Sequence, residues 1–453
     1  MRRVFIHHND NSRSVLTGIC RRLGDPGFCQ LDLNLLQLSK SKDSVATHHP
    51  RAKKPLIPIM QYPFQDGYCS IAAEIVGPYL ALLIVFPGNR DSPDRLWVFE
   101  WQTGIVKFVG LCPIRPALWF VHSFIQSRSS RWMTYNSLAF LDEETLILPN
   151  LRDHAIELCS FTKIPAWTPA PVLPSGDNSI LMLETPSDCM PLSTNRTLRL
   201  PPIREGLTIL RMACRGEPNP IATNSTPRPV KSGPLFRPNP ESSIVIFNLL
   251  VGSQHHRYRS VSFVVNRESL LYLLESEDLE GIDDVSELEG DEPTPAELEE
   301  NPFLICPDRS IADNRGPSNF VPWSRWGTRA VRWFMTDDIP TRWITTSCGY
   351  RWATIAESLP SPIYIRDFNP WRIRQVKAKL GDGETYETER TFVTVARPGS
   401  PTLDQGSRIF TDHVSSDLEY LEVKTKKEYH YSSVFMDENW ILGIVVSILF
   451  FFF

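Results

Sequence analysis

The sequence predicts an all-β fold. Six of the twelve tryptophans lie between Val321 and Trp371. Burying so many rings in a short span requires a well-packed sheet, because each ring carries roughly 150–250 Å² of mostly apolar surface. Prolines and glycines divide this stretch into runs of strand length that are rich in aromatic and β-branched residues. The segment is therefore predicted to be core, built from strands and with little sign of a helix.

Apolar runs of strand length also follow one another along the rest of the chain from residue 68. The clearest is a hairpin in which residues 96–101 and 105–109, both with aromatics, flank a turn containing Gly104. The predicted strands are residues 69–76, 79–86, 96–101, 105–109, 137–141, 145–148, 155–161, 179–183, 206–212, 243–251, 258–265, 269–274, 363–367, 391–396, 420–428 and 441–446. Groups of short strands that recur about every 40 to 50 residues are typical of propeller blades. The sequence thus predicts a β-propeller-like fold of six to seven blades, complete or incomplete, with a pair of sandwiches as the alternative.

Composition divides the chain into segments. Residues 216–241 contain seven prolines, and residues 275–300 contain thirteen carboxylates but no Lys or Arg. Such a charged stretch has too few large apolar groups to pack, so it is predicted to be disordered. The predicted organisation is a poorly ordered leader (1–60), a first propeller-like part (61–274) with a Pro-rich connector (216–241), an acidic insert (275–318), a second propeller-like part (319–446) and an apolar tail (447–453).

Charge and cysteine content restrict the partners and the compartment. The net charge is −5, and outside the acidic insert a small basic surplus is spread over the whole chain, which argues against nucleic acid as a partner. The nine cysteines form no C-x-x-C pair and their number is odd, as expected for reduced thiols in the cytoplasm or nucleus. The first ten residues contain no apolar signal sequence.

No catalytic, cofactor-binding or metal-binding motif is present in the sequence. Adjacent histidines such as His7 and His8 would point to opposite faces of a strand, so such a pair cannot chelate one metal ion. We therefore predict a non-catalytic protein without cofactor or metal. An enzyme on a propeller scaffold is an alternative, motivated only by scattered carboxylates such as Asp367.

Arginines alternate with tryptophans in the Trp-rich segment. Stacked guanidinium and indole planes can bind a ligand, although the same spacing also arises in a sheet with one buried face. If a ligand face exists, the sequence predicts that it contains Trp323, Arg325, Trp326 and Arg342.

Residues 440–453 are apolar apart from Ser447. As a helix they would be about 21 Å long, shorter than the hydrocarbon core of roughly 30 Å. The prediction is a closing strand at residues 441–446, and a tail anchor in a membrane is the alternative.

Several motifs in order resemble the F-box proteins of mushroom-forming fungi. They are RLWVFEWQTG (95–104), NSLAFLD (136–142), AIEL (155–158), VPWSRWG (321–327), TRW (341–343), IRDFNP (365–370) and VFMDE (434–438). The resemblance implies a propeller-like domain that recruits a protein substrate to a ubiquitin ligase. Residues 1–60 contain no recognisable F-box, so a ligase adaptor subunit is an expected partner only if an F-box lies upstream. The protein ligand itself is not identified by the sequence.

Overall fold

In the computed structural model, strands account for most of the described chain. The described residues are 2–9, 12–22, 28–37, 47–63, 70–86, 94–111, 135–161, 190–191, 194–220, 242–253, 258–276, 319–335, 346–356, 358–380, 385–396, 409–412, 414, 416–437 and 440–445. Within these ranges three short helices accompany 27 strands. The all-β prediction is confirmed.

The strands form five sheets and one hairpin, largely in sequence order. Sheet A contains β1 (Arg2–Asn9), β2 (Ser12–Arg22), β3 (Phe28–Gln37), β4 (Thr47–His48) and β5 (Leu56–Pro63). Sheet B contains β6 (Ser70–Val76), β7 (Tyr79–Val85), β8 (Arg95–Glu100), β9 (Ile105–Leu111) and β13 (Met190–Pro191). Sheet C contains β10 (Ala139–Phe140), β11 (Thr145–Asn150), β12 (Ala155–Ser160), β14 (Arg196–Arg199) and β18 (Phe320–Val321).

The second half of the chain forms the remaining sheets. Sheet D contains β15 (Leu207–Gly216), β16 (Ile244–Ser253), β17 (Tyr258–Asn266) and β19 (Val331–Met335). Sheet E contains β20 (Ser347–Cys348), β21 (Arg351–Ile355), β22 (Ser361–Asp367), β23 (Thr385–Glu387), β24 (Thr391–Val395) and β25 (Leu421–Tyr429). The final hairpin pairs β26 (Ser433–Met436) with β27 (Ile441–Ile444).

The first strand of each sheet lies at its inner edge, next to the first strand of the following sheet. β1 contacts β6, β6 contacts β10, and β10 contacts β15. The turn after β20 continues the series, because the Gly349 N–H donates to the Glu217 carbonyl at 2.8 Å. Strands that run outward from adjacent inner edges are the arrangement of propeller blades. The described residues contain five such sheets against six to seven predicted blades, which agrees with the incomplete form of the prediction.

Successive sheets pack face to face, with a hydrophobic core between each pair. β7 shows why its sequence is a continuous apolar run: Leu80, Leu82 and Ile84 enter the core shared with sheet A. The alternate residues Ala81 and Leu83 enter the core shared with sheet C. A strand that is buried on both faces has no place for polar alternation. Further cores lie between sheets C and D, between sheets D and E, and beneath the final hairpin.

Helices replace predicted strand or coil at three places. The helices are α1 (Arg267–Glu275), α2 (Trp323–Ala330) and α3 (Pro370–Leu380). The predicted strand at residues 269–274 is wrong, because these residues belong to α1. Leu270 and Leu273, three residues apart, are buried on one face of this helix. The expectation of little helix in the Trp-rich segment is also wrong, since α2 lies within it and α3 begins at its end.

Strands are present near both ends of the described chain. Where a loosely ordered leader was expected at residues 1–60, the structure has strands β1–β5, and Leu31, Leu33 and Ile57 are buried between sheets A and B. At the predicted closing strand 441–446 the structure has β27, which covers Ile441–Ile444. The predicted strand at 179–183, most of the connector and of the acidic insert, and the tail at 447–453 lie outside the described residues.

Candidate interaction surface

Two of the four residues predicted to form a ligand face belong mainly to the core. Trp326 is 2% exposed, and its indole Nε1 donates to the Arg199 carbonyl at 2.9 Å. Trp323 is half-buried and meets the Trp326 ring edge-on, with centroids 5.1 Å apart. Arg325 is exposed on the opposite side of α2, and Arg342 lies outside the described residues. The described part of this set therefore packs the α2 helix and contributes one charged group to the surface.

A different surface is built by an insertion in sheet E. Strands β20, β21, β22 and β25 form a four-stranded unit like sheet D, but 53 residues separate β22 from β25. This connection contains α3 and the β23–β24 hairpin, which extends the sheet beyond β25. We call residues 370–380, 385–396 and 421–429 the wing. Its first two parts are additional to the four-stranded unit, and added loops and elements on a rigid sheet are where binding surfaces are commonly found.

Side-chain hydrogen bonds fix the first turn of α3. The Asn369 Oδ1 accepts the Trp371 N–H at 2.9 Å, and the Asp367 Oδ1 accepts the Asn369 N–H at 3.0 Å. The other oxygen of Asp367 pairs with Arg372 Nη1 at 2.9 Å. Burial raises the pKa of Asp367, although these hydrogen bonds and the guanidinium of Arg372 act in the opposite direction. The helix therefore begins at a defined point, which orients Trp371 away from the sheet.

The two faces of α3 have different environments. On the inner face, Ile373 is buried against Val395 and Leu421 of sheet E. On the outer face, Trp371 is 70% exposed, and the Arg374 guanidinium lies 4.8 Å from the centre of its ring. An exposed indole stacked with a guanidinium is a rigid amphipathic surface that a partner can cover.

Cations also lie over aromatic rings on the other face of the wing. Lys424 Nζ is 5.6 Å from the centre of the Tyr364 ring, and Lys426 Nζ is 5.3 Å from that of Phe392. Phe392 of β24 and both lysines of β25 are an odd number of residues from Val395 and Leu421, which contact α3, so they point to the opposite side of sheet E.

Across the wing eight Lys or Arg side chains accompany four carboxylates, and α3 itself has four basic and no acidic residues. Two of these basic residues, Arg372 and Lys377, form ion pairs with Asp367 and Glu419 at the border of the wing, which leaves a surplus of two positive charges. The surface is suited to an anionic partner.

A second charged group, not predicted from the sequence, lies at the inner edges of the sheets. The Glu74 carboxylate of β6 accepts the Phe140 N–H of β10 at 2.8 Å. Burial, and secondarily Glu217, raise the pKa of Glu74 to about 8.

Arg267 is 1% exposed and donates to the Pro218 carbonyl at 3.0 Å, and burial lowers its pKa to about 10. We call Glu74, Arg215, Glu217 and Arg267 the inner-edge cluster. The one sequence signal was a lone glutamate in the apolar strand 70–76.

The inner-edge cluster connects sheets and offers no arrangement for nucleophilic catalysis. Burial raises the pKa of the neighbouring Cys214 thiol and of the Cys159 thiol, which keeps both protonated and weakly nucleophilic.

In the part of the chain that the structure describes, no three His, Cys, Asp or Glu side chains are grouped to hold a metal ion. Of the helices in the described ranges, none has the length and apolarity needed to cross a lipid bilayer.

Comparison with known proteins shows little detectable similarity. No protein-family model matches the chain, and no curated protein matches it. Among solved structures, the WD40 domain of SCAP from fission yeast is similar over 94% of this chain and 74% of that chain, with 7% sequence identity and a TM-score of 0.31. The fold described above therefore rests on the strand pairing and core packing of this chain.

Proposed function

We propose that this chain is a non-catalytic protein-interaction scaffold and that a protein partner binds to the wing. The exposure of Trp371 is the observation that carries the proposal. Trp323, Trp326, Trp333 and Trp352 are buried or half-buried in the same region, whereas the Trp371 ring is 70% exposed beside Arg374. Tryptophan and arginine are the residue types most enriched among the energetic centres of protein interfaces.

The defined attachment of α3 to sheet E supports this role. Asp367 and Asn369 fix the start of α3, and Ile373 anchors its inner face to sheet E. A surface that is already ordered loses little conformational entropy when a partner binds. The excess of Lys and Arg favours a partner with an acidic segment, because complementary charge increases both the association rate and the specificity.

The resemblance to F-box proteins extends the proposal to a cellular role. The wing would then hold a protein substrate for ubiquitylation, and coupling to the ligase would require an adaptor subunit bound through an F-box. Without that subunit the chain would bind its partner and go no further.

A comparison of two tryptophan variants tests the proposal. Affinity purification from cells that express the chain should recover a partner that is lost with Trp371→Ala and retained with Trp440→Ala. The control is matched, because Trp440 is 69% exposed but lies in the turn of the final hairpin and not on α3. Loss of a central interface tryptophan typically costs at least about 2 kcal/mol, or roughly 30-fold in affinity.

The outcome separates three possibilities. A partner retained equally by both variants would exclude the wing as the binding surface. Recovery of a ligase adaptor subunit would support the F-box role, whereas a partner recovered reproducibly without it would support a scaffold alone.

A further inference from the structure

The outer face of α3 and an acidic part of the same chain carry opposite charge. Residues 277–300 contain twelve carboxylates and no Lys or Arg, whereas α3 has four basic and no acidic residues. The same segment has apolar residues at every third position from Leu279 to Leu288. A partner for an exposed indole surrounded by cations needs both carboxylates and apolar side chains, and this segment has both.

Both ends of the connection that contains this segment are fixed at one strand. The Ser276 carbonyl accepts Arg196 Nη2 at 2.6 Å, and the Asn319 carbonyl accepts the Thr197 N–H at 2.8 Å. Arg196 and Thr197 are neighbours on β14. Residues 277–318 therefore leave and rejoin the fold at nearly the same place, beside α2.

A short series of contacts connects this place to α3. The Thr328 carbonyl of α2 accepts the Asp417 N–H at 2.8 Å, and two residues later Glu419 forms an ion pair with Lys377 of α3. With both ends held at β14, the midpoint of the 42-residue connection is about 21 residues from either end and can lie at most roughly 70 Å from that strand. The acidic segment can therefore reach α3, and intramolecular attachment gives an effective concentration in the millimolar range.

From these observations we infer that residues 277–300 dock on the outer face of α3, over Trp371, Arg374 and Lys379, in the same molecule. The acidic segment would then compete with the external partner for the wing. This inference rests on the proposed function because it uses the same surface, but its test requires no external partner.

Zero-length carbodiimide coupling of the full-length protein tests the docking directly, because it joins only a lysine and a carboxylate in contact. Lys379 should couple to a carboxylate within 277–300 at about 20 mM salt. The yield should fall about tenfold at about 500 mM salt, where the Debye length is a few ångströms. Lys53, exposed on the loop between β4 and β5, is the control and should not couple to this segment.

Two variants identify the contacting groups. Arg374→Glu should reduce the coupling of Lys379 about tenfold. In a second variant all twelve carboxylates of 277–300 are replaced by amides, which leaves α3 unchanged. In that protein the backbone N–H groups of residues 373–380 should exchange with solvent deuterium faster than in the parent, because the docked segment no longer covers α3.

Several results would overturn the inference. They are the absence of Lys379 coupling to the segment, equal coupling of Lys53, or coupling that occurs only between molecules and rises with protein concentration. Loss of the external partner with Trp371→Ala tests the proposed function separately. The docking can therefore fail while the wing remains a partner surface, and the reverse also holds.

Discussion

At the scale of single residues, Gly327 has an unusual role in α2. In most helices Gly→Ala stabilises by up to about 1 kcal/mol. Here a Cβ atom at position 327 would overlap the ring of Trp323, which is itself packed against Trp326 and Trp333. We expect Gly327→Ala to lower the free energy of unfolding by about 1–3 kcal/mol, as overpacking of a core does. Chemical denaturation measures the change.

A substitution on the exposed side of the same helix is the control. Ser324→Ala should change stability by less than about 0.5 kcal/mol, because Ser324 is exposed on α2. If Gly327→Ala were as stable as the parent or more stable, the ring of Trp323 would not be held over this position.

Tryptophan content predicted burial correctly where the rings lie between sheets, and incorrectly on the wing. Trp333 and Trp352 are 0% and 2% exposed, whereas Trp371 is 70% exposed. Composition gives the number of rings to be buried but not which side of an element faces the core. Trp371 follows Asn369-Pro370, a cap residue and a proline that are typical of a helix start. Recognising that start would have separated Trp371 from the strands.

At the scale of elements, hairpins were predictable and short helices were not. The β6–β7 and β8–β9 turns contain Gly77 and Gly104 with φ of 53° and 74°, and only glycine adopts such values readily. These turn signals are local in sequence. The run at 269–274 is also apolar, but a run of six residues fits a buried strand and a buried helix equally well. The burial of Leu270 and Leu273 in the core shared by sheets C and D favours the helix over the strand.

The attachment of α3 to sheet E depends on few apolar contacts. Ile373 is the buried residue of this helix and packs on Val395 and Leu421. Truncating a buried isoleucine costs about 2–5 kcal/mol. Because this cluster is separate from the main cores, we expect Ile373→Ala to release α3 without unfolding the sheets. Amides of residues 373–380 should lose protection from hydrogen exchange, while those of β21 keep theirs.

Val376→Ala is the matched control, since Val376 packs only partly against the same cluster and should have a smaller effect. Equal loss of protection in α3 and in β21 would show instead that the wing unfolds together with the rest of the protein. The docking of the acidic segment needs an ordered α3, so Ile373→Ala should also reduce the coupling of Lys379.

At the scale of the whole molecule, the order of the sheets follows the order of the chain. The continuous apolar run of β7 requires that both of its faces be buried, and the packing of sheet B between sheets A and C satisfies that requirement. The inner-edge cluster was beyond prediction, because Glu74, Glu217 and Arg267 are far apart in sequence and meet only when sheets B, C and D are adjacent. A pattern in one strand cannot show which distant charge will face it.

The inner-edge cluster makes the stability of the assembled sheets depend on pH. The pKa of Glu74 is raised to about 8 by burial and by Glu217, with Arg267 and Arg215 acting in the opposite direction. Burial also raises the pKa of Glu217. Between the ordinary glutamate pKa of 4.5 and about 8, the unfolded chain releases the Glu74 proton that the folded protein keeps. Stability from this group is therefore fully present at low pH and falls as pH rises through that window.

Glu74→Gln isolates this effect, because the amide oxygen can still accept the Phe140 N–H but cannot ionise. The variant should be close to the parent in stability near pH 4.5. It should then become progressively more stable than the parent up to about pH 8, by at most about 1.4 kcal/mol per pH unit. Denaturant midpoints at a series of pH values measure the difference. Glu389→Gln, an exposed change on the wing, should show no such divergence. Parallel profiles for Glu74→Gln and the parent would mean that Glu74 is ionised in the folded protein, and the sheets would then meet around a charged carboxylate.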